Sequence, residues 1–213
     1  MPELATYLAF VAAVLAMQAV PGPDTLLVVS RGVGQGRTVA IATALGAVGA
    51  GVVQLPLLAA GVAALVRSSP LAFEALRYLG AGYLIYLGLR LILRRRRGDA
   101  ALSPVRATPR SAFLEGMISN LTNPNVLVFM LAFLPQFVDP ARGSVAVQLL
   151  VLGATQKLCG LVVLAATAFA AGTVGDWIAR RPGLILWQER LAGAVMIGLG
   201  VRLLAGDARA GRG

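Results

Sequence analysis

Long apolar runs, each closed by a short cluster of basic, glycine or proline residues, set the pattern of this chain. Six can be marked off, at about residues 4–29, 38–66, 73–93, 112–137, 145–174 and 187–204. An α-helix needs about 20 apolar residues to cross hydrocarbon. The pattern therefore predicts an all-α integral membrane protein with six transmembrane helices. Two of the runs are interrupted. Pro21-Gly22-Pro23-Asp24-Thr25 cuts the first, and Asn123-Pro124-Asn125 cuts the fourth. Proline removes a backbone donor and clashes with the preceding turn, so helices 1 and 4 are predicted to be broken there. In hydrocarbon such a break is tolerated only against protein or a water-filled cavity. Interrupted spans in corresponding places of two halves point to a transporter binding site.

A weak internal match supports two halves. Leu87-Gly88-Leu89-Arg90-Leu91-Ile92 ends the third run and Leu199-Gly200-Val201-Arg202-Leu203-Leu204 ends the sixth. Three spans per half is an odd number, so the halves are expected as a 3+3 inverted repeat. The expected division is residues 1–97 for the first three-helix repeat, 98–111 for a basic cytoplasmic loop and 112–213 for the second.

Composition agrees with the pattern. Hydrophobic residues make up 58% of the 213 and charged residues 13%, with a mean hydropathy of +0.80. A soluble domain carries about 25% charged residues. The net charge of +10 comes from arginines that cluster between the runs, which fits loops that set membrane orientation and not a nucleic-acid face. On alternate sides of six spans the count is 12 arginines against six arginines plus Lys157. The richer side belongs in the cytoplasm, which puts both termini outside the inner membrane. The N-terminal run lacks a basic start, so it is read as a retained span, with a signal cleaved near Ala19 as the alternative.

The chemistry available is narrow. There is no histidine and one cysteine, Cys159. Zinc and soft-metal sites draw on those residues, so no metal, cofactor or catalytic constellation is expected. After each break a new half-helix begins. Pro23 and Pro124 suit its first position, and Asn123 suits its N-cap. The first N–H groups of such a half-helix lack partners and can hold a carboxylate. Asp24 and Lys157 are ionisable groups inside spans, which marks them as candidates for function. Asp24 is expected to pair with a substrate's ammonium or to take a proton during the cycle, and Lys157 to pair with Asp24 or to supply positive charge to the site. Thr25, Asn120 and Asn125 are candidate hydrogen-bond partners, and Gln54 and Gln156 weaker ones. Glu115 reads as an interfacial or loop-pairing residue.

Several stretches resemble the LysE/RhtB-type amino-acid exporters, the lysine and homoserine/threonine exporter family. Pro21-Gly22-Pro23 with Arg31, Gly36-Arg37 and Gly46 is similar to its first signature. Residues 79–90 are similar to its third helix. Phe113-Leu114-Glu115-Gly116, Asn120-Leu121, Asn123-Pro124 and Phe133-Leu134-Pro135-Gln136-Phe137 resemble its fourth, and residues 191–203 its last. Two positions depart from the pattern: Asn125 stands where the family commonly has Lys, and Gly51 where many members are acidic. The resemblance implies proton-coupled export of amino acids or close derivatives by alternating access. A cation exporter of a related family and a non-transporting membrane scaffold are the alternatives. Gly-rich faces permit a homodimer.

Overall fold

The computed structural model describes residues 3–18, 21–93, 107–179 and 182–210. The chain is all-helical, with no β-strand among the described residues. Its helices are α1 (Leu4–Gln18), α2 (Pro23–Gln35), α3 (Arg37–Gly49), α4 (Gly51–Ser68), α5 (Pro70–Leu93), α6 (Pro109–Thr122), α7 (Pro124–Phe133), α8 (Val145–Ala179) and α9 (Pro182–Ala210). Arg94, Arg95, Arg96, Arg97 and Pro104 lie outside the described residues.

Two helical stretches are each long and apolar enough to cross a membrane, Arg37–Ser68 and Val145–Ala171. Two bent pairs reach the same length and apolarity when taken together. Leu4–Gln18 and Pro23–Gln35 are set at 52°, and Pro109–Thr122 and Val126–Phe137 at 56°. Apolar side chains cover the outside of the molecule as well as its interior: Val52 is 79% exposed, Leu79 74% and Val162 68%. Such a surface belongs in lipid, where an apolar exterior costs nothing.

Local chemistry sets the helix ends. Gly36, with φ +90°, takes the left-handed turn that lets α3 double back against α2; only glycine adopts it without steric cost. Thr108 and Ser111 form a reciprocal capping box at the start of α6. Pro135 ends α7 as a regular helix, and Leu134–Phe137 tighten into a 3-10 turn.

Small residues let the helices touch backbone to backbone. A Cβ on Gly46 would sit 1.9 Å from the Phe113 carbonyl oxygen, and one on Gly116 2.2 Å from that of Thr43, so α3 and α6 are in direct contact. Gly88 and Gly193 do the same for α5 and α9, at 2.5 and 2.6 Å. Without water to drive association, this close van der Waals approach is what holds spans together. The main core lies at the end of the molecule nearest Glu3. There Phe10, Phe133, Leu134, Leu149 and Leu152 are fully buried. Phe10 meets Phe137 edge-on at 5.1 Å, and Phe129 stacks on Phe133 at 4.9 Å. A smaller cluster of Val28, Ala40, Ala44, Leu164 and Ala168 packs toward the other end.

Candidate functional site

The site is built around the start of α2 and the end of α6. Gly22, with extended backbone, is the N-cap of α2, and no side chain caps it. Pro23 opens the helix, and Asp24 sits in its first turn, where a negative charge is favoured by the helix dipole. The first intrahelical bond runs from the Leu26 N–H to the Gly22 carbonyl, 3.0 Å. The N–H groups ahead of it have no helical partner. In the other bent pair, α6 ends when Asn123 turns extended, and α7 starts at Pro124. The Asn123 carbonyl accepts from the N–H groups of Val126 and Leu127.

Between the two steps runs a chain of polar side chains. The Asn120 amide donates to Asp24 Oδ2 at 2.6 Å. The Asn120 side-chain oxygen accepts from Lys157 Nζ at 3.0 Å. Lys157 Nζ also donates to Gln54 Oε1 at 2.8 Å, and Gln54 Nε2 donates to the Asn120 backbone carbonyl at 3.2 Å. Asn120 and Gln54 are buried. Asp24 and Lys157 therefore do not pair directly, as one of the two readings had it. Asn120 stands between them and serves both, because a carboxamide offers a donor to the carboxylate and an acceptor to the ammonium. One negative and one positive charge thus share one network drawn from α2, α4, α6 and α8.

Gly51 makes room for this arrangement. A Cβ there would lie 3.0 to 3.2 Å from Cγ, Cε and Cδ of Lys157. The lysine stem lies across the bare backbone at the start of α4, and its ammonium reaches Gln54 one turn further on.

Beside the polar chain is a cavity of about 320 Å³, a volume in the range of small-molecule sites. Gly22, Pro23, Asp24, Thr25, Asn120 and Asn123 contribute to its wall. So do Lys157 and Gln156. Pro21 is not part of the wall, and Gln54 sits behind Lys157 as its acceptor. The side chains of Pro124 and Asn125 lie outside the described residues. Apart from Gln18, the rest of the wall is apolar, with Val126, Phe129, Met130, Leu164 and Met196 prominent. Among the described residues, no three His, Cys, Asp or Glu side chains come together to hold a metal ion.

Two features escape a reading of the sequence. Gln18, the last residue of α1, lines the cavity and donates from Nε2 to the Gln156 carbonyl at 2.8 Å. It sits at the end of an Ala-rich run and reads there as a helix terminus. The apolar wall is equally hidden, since lipid-facing and cavity-facing positions are both apolar. Glu115 forms an ion pair with Arg31 across α6 and α2, away from the cavity.

A family model described as LysE type translocator matches residues 15–207. The leucine efflux protein of Enterobacter sp. (strain 638) is 31% identical over 189 residues, covering 86% of this chain and 88% of the relative. The leucine efflux protein of Klebsiella pneumoniae is 30% identical, covering 92% and 93%. An uncharacterized membrane protein of Vibrio cholerae is 28% identical, covering 97% and 100%. No solved structure matches the chain significantly.

Proposed function

This chain belongs to the LysE type translocator family, and we propose that it exports an uncharged, apolar amino acid across the bacterial inner membrane. It is a membrane transporter and not an enzyme. The observation that carries the substrate reading is the cavity beside the α2 start. It combines an apolar wall with one carboxylate, one ammonium and a few amides. A zwitterion with an aliphatic side chain matches that inventory. The carboxylate is held by Lys157 and the free N–H groups at the start of α2. The aliphatic part lies against Phe129, Met130 and Met196. The leucine efflux relatives support the same class.

The transport cycle is alternating access between two inverted three-helix halves, with α1–α2 and α6–α7 as equivalent broken spans. Helix packing supports this at the level of whole spans, although the individual half-helices do not match one for one. The first broken span packs on α8 and the second on α3; α9 packs on α1 and α5 on α7. The pairs α5–α9 and α4–α8, which the inverted repeat would make equivalent helices, also pack on each other. Asp24, the carboxylate on the cavity wall, carries the coupling proton. Twelve arginines assigned to one face put that face in the cytoplasm and both termini outside.

Direct efflux tests the proposal. Cells expressing the protein are loaded with a panel of labelled amino acids, and the external label is followed. Leucine and its neutral aliphatic neighbours should leave faster than from cells lacking the protein, and basic and acidic amino acids should not. Unchanged efflux across the whole panel overturns the proposal.

A further inference from the structure

Three oxygen acceptors on the cavity-lining side chains have no protein partner: Oε1 of Gln18, Oδ1 of Asp24 and Oε1 of Gln156. All three are buried, and a buried polar atom left unpaired calls for an explanation. Their neighbours fix them in this role. Gln18 has committed its Nε2 to the Gln156 backbone carbonyl, so its oxygen is the atom left over. Asp24 has committed Oδ2 to Asn120, with Ser119 beside the same carboxylate, and Oδ1 is the oxygen left without a hydrogen bond. The three come from the last residue of α1, the first turn of α2 and the middle of α8. They flank the break between α1 and α2.

We propose that Gln18, Asp24 and Gln156 form the subsite for a primary ammonium, the amino end of the exported molecule. This rests on the amino-acid reading of the cavity and adds to it an orientation. Three unpaired acceptors match a group with three N–H bonds and no lone pair, and the one carboxylate among them supplies the charge. Lys157, the cation of the wall, is already bonded to Gln54 and Asn120. The substrate therefore lies with its amine on the α1–α8 seam, its carboxylate toward Lys157 and its side chain on the apolar wall around Phe129 and Met130. A secondary amine fills two of the three positions, and an N-acyl group presents an oxygen where only donors fit.

The test uses the full chain in proteoliposomes. Uptake of labelled leucine is measured against unlabelled leucine, N-methyl-leucine, N-acetyl-leucine and isocaproate, which is leucine without its amine. In the wild type, leucine should compete best, N-methyl-leucine about tenfold less well, as for loss of one hydrogen bond to a charged group, and N-acetyl-leucine not at all. Gln18→Leu and Gln156→Leu should each raise the half-saturating leucine concentration about tenfold and leave competition by isocaproate unchanged. Gln18→Asn and Gln156→Asn, which keep the amide but draw it back, should fall between. If N-acetyl-leucine competes as well as leucine, or if the variants weaken leucine and isocaproate alike, the subsite is wrong although leucine export stands. If the wild type takes up no leucine or other neutral amino acid, the export reading itself fails.

Discussion

At the scale of single residues, the site is a balance of two charges through one amide. Lys157 lies part-buried among Gln54, Asn120 and the bare backbone of Gly51. Removing its ammonium strands two amide oxygens and leaves the Asp24 carboxylate without a cation in the network. Each stranded acceptor costs about 1–3 kcal/mol. Removing the Asp24 charge alone leaves the opposite excess. The expected outcome is that Lys157→Met and Asp24→Asn each lower the apparent melting temperature in detergent, by about 2–4 °C per kcal/mol for a chain of this size. The double variant should lose less than the two single losses combined, since its site is neutral again. Strict additivity would show that the two charges are not linked through Asn120. All three variants should be inactive in transport.

At the scale of elements, glycine at a crossing separates from glycine on an open face. Gly46 and Gly49 lie one turn apart on α3. A methyl on Gly46 would collide with the Phe113 carbonyl at 1.9 Å, whereas one on Gly49 would make an ordinary contact with the Phe113 ring at 3.5 Å. Gly46→Ala should therefore destabilise by about 1–3 kcal/mol, as overpacking does. Gly49→Ala should be close to neutral. Paired thermal-unfolding curves check this, and equal melting temperatures would mean that α3 and α6 do not cross there. The sequence also made part of the site legible at this scale. Asp24, Asn120 and Lys157 stand out because each is polar inside an apolar run, where such a residue needs a partner. Which partner it finds is a matter of tertiary packing. Nothing along the chain says that Gln54 on α4 holds a lysine 103 residues away. The same limit hides Gln136, whose amide reaches back to the Arg77 carbonyl on α5 at 2.8 Å.

At the scale of the whole molecule, the apolar runs that became Arg37–Ser68 and Val145–Ala171 could be read because hydrocarbon thickness imposes a length. The face each helix turns inward could not, because lipid and core both select apolar side chains. The two ends are marked by ion pairs. Arg142 meets Glu3 at 3.6 Å at one end, and at the other Arg31 meets Glu115 while the Ala107 N–H donates to Gln35. With the proposed orientation, cysteines placed at Ser68 and Ser144 in a Cys159→Ala background should react with an impermeant maleimide added outside intact cells. A cysteine at Ser111 should react only after the membrane is opened. The reverse pattern would invert the topology, and labelling of Ser68 without Ser144 would change the number of spans between them.

The docking of an amino acid on the Asp24–Asn120–Lys157 chain is tested most directly by binding labelled leucine to purified protein, wild type against Asn120→Leu. The substitution removes both the donor to Asp24 and the acceptor for Lys157 while keeping similar volume in α6. Leucine should bind the wild type and lose about tenfold or more in affinity to the variant, the scale of one charge-assisted hydrogen bond or more. Equal affinity in a variant that still folds would contradict a binding site at this position.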